Sequence, residues 1–372
     1  MFKKFFWGIF LFVVLFIIQD IFSSVFSHKH NFQKVVHIYN WADFIAPEII
    51  KDFEKETGIA VVYDVYDNNE VLEAKLLMGK TGYDLVFPSA WPYFERLKEA
   101  RVFRKIDRSK IKNISLVDPL LLKKLESIDP GKDYGIPYLW GTSGFGYDYQ
   151  KIKALLGDDI DHSWSALFSS KNLKKLSSCG VVLMDVPVEL FPAYLKSMNI
   201  NPNSEKIEDL NMAVNHILSI RKYIRKFSSS AGNDLASGEC CLIQSWSADV
   251  RLARDKSKQA SKNLDIRYII PKEGASLWVD IMAIPEDAPN AENAHLFIDF
   301  LLRPENMAKI TNYIYCANSV PSSQKFIEPQ ILNDRMIYHA REDLEKTYTD
   351  RLFSASFERL RNRAMMKIKT GK

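Results

Sequence analysis

The sequence predicts an α/β protein built as two lobes, and three observations carry that prediction. Strand-like and helix-like segments alternate from about residue 35 onward, the pattern of a doubly wound sheet. At 372 residues the chain is too long for one ordinary core. The stretch 134–147, rich in glycine and aromatics, is extended rather than helical and interrupts the alternation, which suits a crossover between lobes better than a surface loop. A second extended stretch, 276–284, reads as the return. The expected division is a leader at 1–27, one lobe at 34–142 plus 277–320, and a second at 143–276 plus 321–372.

In the leader, Lys3 and Lys4 precede an apolar run over 5–18, the charged and hydrophobic regions of a secretory signal. Asp20 keeps that run below the ~20 residues of a spanning helix. Export as a soluble protein is the expectation, with an uncleaved N-terminal anchor as the alternative. The first strand, Val35 to Tyr39, stops at Asn40, Trp41, Ala42 and Asp43; Pro47 then opens a helix that Gly58 closes. A strand is expected at 60–65, a helix at 69–78, and a buried strand at 85–87 that ends in the loop Pro88, Ser89, Ala90, Trp91, Pro92. Beyond the crossover, helices are expected at 164–176, 188–198 and 211–227, with strands at 180–184, 241–244 and 266–270. A basic helix should start near Asp249, the region 285–302 should be loop then helix, and the charged tail 335–372 should be helical.

Composition excludes more than it assigns. A hydrophobic fraction of 47% and a charged fraction of 26% are those of a soluble globular protein. A net charge of +4 without a basic cluster argues against nucleic acid. The glycines miss the dinucleotide spacing and no P-loop occurs. There is no Cys-x-x-Cys, the seven His are scattered, and no nucleophile elbow or triad stands out, so no cofactor, no metal and no catalysis are expected. The four cysteines are Cys179, Cys240, Cys241 and Cys316; in an oxidising compartment at least two should pair, and adjacent Cys240 and Cys241 do not easily reach one partner.

One chemical theme recurs in three separate places: Trp41 with Asp43, Trp246 with Asp249, and Trp278 with Asp280. Trp278 and Asp280 are two apart on a strand and so share a face. Glu189 adds an acid near a strand-to-helix turn. In open α/β sheets, ligands gather at the carboxyl ends of strands. Aromatic faces attract ammonium groups by ~0.5–2 kcal/mol each, and carboxylates accept charge-assisted N–H bonds. The implied ligand is an aliphatic amine with two or more positive charges. Paired carboxylates beside aromatics also describe a sugar-binding or glycoside-hydrolysing site, which is the enzymatic alternative.

The runs Ile38 to Pro47, Phe53 to Gly58, Asp84 to Ser89 and Ile270 to Gly274 resemble, in this order, the periplasmic polyamine-binding proteins of ABC importers, the putrescine and spermidine receptors. The resemblance extends from about His37 to Lys372. It implies a two-lobed periplasmic binding protein fold, type II-like, with the ligand in the cleft between the lobes. It places Trp41, Asp43, Ser89, Glu189, Trp246, Asp249, Trp278 and Asp280 on ligand-contact positions, and implies a disulfide between Cys179 and Cys241. The partners it implies are a polyamine and the permease subunits of the importer, for a monomer in the periplasm. A polyamine sensor that feeds no transporter would use the same cleft.

The sequence departs from the family's pattern at several positions. Phe44 stands where a tyrosine is common, Cys316 where an aromatic wall is expected, and Trp91 at a position that is small in putrescine-type members and aromatic in spermidine-type ones. Val186 offers no carboxylate for a third ammonium. A buried unpaired charge costs more than one extra methylene gains, so a diamine is expected as the preferred ligand and spermidine as a weaker second. The expected roles are Asp280 and Asp249 on one ammonium, Asp43 or Glu189 on the other, and Trp246 and Trp278 against the methylenes.

Overall fold

The computed structural model describes residues 34–262 and 264–371, so the expected leader lies outside the described residues. Strand β1 (Lys34–Trp41) is joined by the Pro47–Thr57 helix to β2 (Ile59–Tyr66), and β1 pairs in parallel with β2 and with β3 (Leu85–Val86). Pro47 sits at the first helical position, where its missing N–H removes no helical bond. Gly58, at φ +67°, ends the helix by donating its N–H to the Glu54 carbonyl. The helix buries Ile49 and Phe53, four residues apart on one face. The Phe53 ring meets Phe297 and Phe300 edge-on at 4.8 and 5.4 Å, which locks this βαβ unit onto the Ala291–Leu301 helix.

The organising element is β4 (Gly135–Asp148), fourteen residues long and buried throughout. Its first part, up to Thr142, pairs antiparallel with β9 (Leu277–Ala283), which in turn pairs with β3. From Ser143 onward it pairs with β7 (Leu242–Trp246) and, at Phe145–Asp148, with β8 (Ile266–Ile269). Beyond β7 lie β5 (Val181–Leu183) and β6 (Lys226–Phe227), both parallel. The strand order is β2-β1-β3-β9-β4-β7-β5-β6, with β8 and β10 (Ala317–Asn318) also on β4. One strand therefore belongs to two sheets and changes sheet between Thr142 and Ser143. Each sheet carries its own apolar cluster: Val36, Ile38, Phe53 and Phe297 on one side, and Phe145, Trp164, Ile217 and Met365 on the other. This is a two-lobed α/β fold.

Several elements differ from expectation. The helix expected over 164–176 is two, Ser165–Phe168 and Ser170–Leu176, because Ser169 turns to extended backbone and its hydroxyl caps the second. The helix expected over 211–227 is Ile207–Ile220; the chain then leaves it because Arg225 and Ser228 donate their N–H groups to Val181 and Leu183 of β5, adding β6 to the sheet. Within the described tail the α-helices are Arg341–Glu345 and Ala355–Thr370, and 347–354 between them is irregular apart from a bridge of Tyr348 to Ser276. Residues 321–372 do not pack as one piece. Ile327, Ile331 and Ile337 join a cluster with Leu72, Phe94 and Val279 of the first lobe, whereas Phe357, Met365 and Ile368 join Trp164 and Ile217 of the second. Among the described residues no helix is long and apolar enough to cross a membrane.

Candidate functional site

The ends of β1, β3 and β9 converge on one polar centre. Trp41, the last residue of β1, donates its indole N–H to the Phe87 carbonyl at 3.1 Å, and the Tyr66 hydroxyl donates to the same oxygen at 2.6 Å. Their rings lie 4.7 Å apart, which fixes the Trp41 indole at the strand end. Phe44 packs behind it at 6.1 Å, and its carbonyl accepts from the Tyr138 hydroxyl. Asp43 occupies the intervening turn in the left-handed region (φ +60°) and is exposed.

Asp280 is the focus of the first lobe. β9 brings it opposite Ser89, whose hydroxyl donates to Oδ1 at 2.8 Å. Ser89 is itself held by Asn69, which donates from Nδ2 to the Ser89 hydroxyl and accepts the Ser89 N–H, both at 3.1 Å. Asp280 is only 3% exposed. Burial pushes its carboxyl up to about 7, although Ser89 and the Trp41 indole favour the ionised form. Two residues earlier on β9, the Trp278 ring lies across Gly141 of β4, where a Cβ would stand 2.3 Å from Cζ2. The absence of a side chain at Gly141 gives the indole its place, and the Trp278 N–H is buried without a partner.

The second lobe contributes from β7 and two helix starts. Trp246, the last residue of β7, donates its indole N–H to Glu189 Oε1 at 3.0 Å. Glu189 lies in the first turn of the Pro187–Ser197 helix, and Gln244 anchors that turn by donating to its carbonyl. Burial pushes the Glu189 carboxyl up to about 7, against the Ser143 hydroxyl and the Trp246 indole; the neighbouring charge of Asp350 adds to the rise. Asp249 sits in the first turn of the Ser247–Gln259 helix, where the macrodipole favours a carboxylate, yet burial outweighs that and raises it to about 6.

Cys316 lies in the apolar cluster of the first lobe. Its thiol is buried and pushed up to about 12, first by burial and then by the charges of Asp280 and Asp249. A buried acid whose ionised form lacks a cation is the complement of an incoming ammonium.

Of the residues singled out from the sequence, Trp41, Ser89, Trp278 and Asp280 cluster on the first lobe, and Glu189 and Trp246 pair on the second. Asp249 stands at the start of the Ser247–Gln259 helix, whose Arg251 reaches the Tyr315 ring of the first lobe. Asp43 and Phe44 stand apart from the buried acids, one exposed and one packed against Trp41. Trp91 is not an open wall: it is 8% exposed and packed in the cluster of Phe94 and Leu97, with its indole N–H unpartnered. Asn69, Gly141, Ser143 and Asp350 escaped the sequence reading. Only Gly141 had a local signal, the glycine-rich crossover; the others belong to no recurrent pattern.

The family model for bacterial extracellular solute-binding proteins matches residues 48–334. The putrescine-binding periplasmic protein SpuD of Pseudomonas aeruginosa is 42% identical over 341 residues, 91% of this chain and 93% of that protein. The putrescine-binding periplasmic protein PotF of Escherichia coli is 41% identical over 343 residues, 91% of this chain and 92% of that one. Among solved structures, the spermidine/putrescine transporter substrate-binding protein PotD of Streptococcus pneumoniae superposes with a TM-score of 0.81 at 25% identity, covering 91% of this chain and 99% of that one. With the match spanning most of its length and both lobes, this chain belongs to the bacterial extracellular solute-binding proteins.

Proposed function

We propose that this extracytoplasmic binding protein captures a polyamine between its lobes and hands it to the membrane permease of an ABC importer. The observation that carries the reading is that each lobe holds desolvated carboxylates, Asp280 on one and Glu189 and the half-buried Asp249 on the other, all raised by burial and none neutralised by an ion pair among the described residues. An ammonium group supplies the missing charge to both, and it does so only when the lobes come together. Glu189 is the acceptor at the other end, ahead of Asp43, because Glu189 is buried and fixed by Trp246 whereas Asp43 is exposed. Trp246, Trp278 and Trp41 cover the methylenes. Relatives named for putrescine, at 42% and 41% identity, support a diamine as a principal ligand.

The units that close are residues 34–142 with 277–320, and 143–276, moving about the places where β4 and the chain before β9 pass between sheets. We assign the protein to the periplasm, as a monomer and without catalytic activity. Isothermal titration of residues 28–372 against putrescine, cadaverine, spermidine and spermine tests the reading. Saturable binding of a diamine at one site per chain is expected. Absence of binding to all four, with binding to a neutral sugar instead, would overturn it.

A further inference from the structure

We propose that the protein carries a second binding site, for a phosphate-bearing anion, in a basic groove between the Ser247–Gln259 helix, β8 and residues 330–336. The site is separate from the cleft and does not depend on polyamine capture.

The helix builds one wall by spacing alone. Arg251, Arg254 and Lys258 stand at i, i+3 and i+7 and so share a face. Asp249, two positions before Arg251, lies ~200° away around the helix axis, so the basic face turns away from that acid. Val250 and Ala253 of the helix, Ile266 of β8 and Met336 belong to one apolar cluster, which fixes the three walls against one another. The segment 330–336 is fastened to the first lobe through Ile331. Between these walls lies an open groove of about 730 Å³.

The charge in the groove does not balance. Its cations are Arg251, Arg254, Lys258, Arg267 of β8 and Arg335. Its acids are Asp255, Asp265 and Asp334. Asp334 is shared, because Arg254 and, at 2.9 Å, Arg251 both pair with it. Asp255 takes the other side of Arg251, and Asp265 holds Arg267 at 2.8 Å. Lys258 and Arg335 are exposed and make no ion pair among the described residues. Five cations against three acids leave two positive charges in excess. A phosphate group, at about −1.5 to −2, matches that excess, whereas a single carboxylate covers half of it. The donors suit it as well. Arg254 Nε is shut off from solvent with no hydrogen-bond partner. Burial, and then the Arg254 charge, holds the Arg251 guanidinium below its ordinary value, the mark of a site short of negative charge. Guanidinium forks present paired N–H groups to phosphate oxygens. The same excess of positive charge repels a polyamine.

The test is isothermal titration with pyrophosphate in low-salt buffer, on the wild type and on two double variants with equal loss of charge. One removes Lys258 and Arg335 from the groove (Lys258→Ala, Arg335→Ala). The other removes Lys171 and Lys175 from the exposed face of the Ser170–Leu176 helix (Lys171→Ala, Lys175→Ala). Saturable binding at one site per chain is expected on the wild type, at least tenfold weaker in the groove variant and changed less than twofold in the other. Putrescine affinity should stay within threefold in both. Absence of saturable pyrophosphate binding to the wild type overturns the site whether or not a variant folds. Equal losses in the two variants also overturn it, because they mark diffuse attraction to net charge. A tenfold loss of putrescine affinity in the groove variant overturns its separateness from the cleft. Sedimentation with phosphatidylglycerol vesicles distinguishes the sources of the phosphate. Retention that pyrophosphate displaces and the groove variant loses assigns a lipid headgroup, and pyrophosphate binding without retention assigns a free phosphate.

Discussion

Asp280 shows how burial and charge act together at the level of one side chain. Its carboxyl, raised to about 7, gains from Ser89 and Trp41 but lacks a cation. Asp280→Asn should weaken putrescine at least tenfold with the fold retained, since a charge-assisted bond in a cleft contributes ~1.5–3 kcal/mol; titration with parallel circular dichroism checks it. Trp278→Ala should do the same through lost methylene cover. The raised acids also set a pH dependence. Asp280 and Glu189 at about 7 and Asp249 at about 6 bind protons in the folded, ligand-free protein where unfolded carboxyls do not. The folded state therefore holds more protons than the unfolded one between about pH 4 and 7. The ligand-free protein should gain stability as pH falls from 8 towards 5, while polyamine affinity should fall over the same range because the ammonium needs ionised partners. Melting curves and titrations at pH 8, 6.5 and 5 would show the two trends running in opposite directions. A polyamine affinity that rises on acidification would remove the acids from the site.

Between elements, the contact that shapes the site is the crossing of β4 and β9. Gly141 faces Trp278 so closely that any Cβ must displace the indole. Gly141→Ala should therefore move the Trp278 ring and weaken putrescine at least tenfold, readable as a change in tryptophan fluorescence together with the titration. The disulfide acts on a different pair of elements. Cys179, just after the Ser170–Leu176 helix, joins Cys241 before β7 with a Cα–Cα distance of 5.5 Å, leaving Cys240 and Cys316 free. Closing a loop of 62 residues' separation stabilises the second lobe by ~2–4 kcal/mol. Cys179→Ser should lower the melting temperature and leave putrescine affinity within threefold, because neither cysteine touches the buried acids. Non-reducing peptide mapping that finds all four thiols free would exclude the bridge.

At the scale of the molecule, the lobes meet through more than the ligand. The Ser247–Gln259 helix of the second lobe sends Arg251 and Arg254 to Asp334, on the segment that packs with the first lobe, and the Arg251 guanidinium lies 4.6 Å over the Tyr315 ring. Where β4 changes sheet, the Thr142 hydroxyl meets Tyr268 and His339, each at 2.9 Å. These contacts place the helix that bears Asp249 beside Tyr315, the residue next to Cys316. A ligand that binds only the folded, closed form stabilises it by RT ln(1 + [L]/Kd), ~2.7 kcal/mol at a hundredfold excess over Kd. Putrescine should accordingly raise the melting temperature in a concentration-dependent way, and Asp280→Asn should abolish most of that shift; differential scanning calorimetry measures both.

The sequence by itself determined the α/β class, the helix that Pro47 opens and Gly58 caps, and the crossover carried by 134–147. These follow from local periodicity, turn chemistry and motif, which act over a few residues. It misplaced helix ends wherever a distant strand competed for the backbone, as β5 does for Arg225 and Ser228. Only the tertiary structure decided that Gly141 makes room for Trp278, that Trp91 turns into the core, and that the Trp246 indole reaches Glu189 from 57 positions away. No periodicity encodes such meetings. They arise where segments distant in sequence fold against one another, so that the neighbour that sets a charge's free energy is remote along the chain.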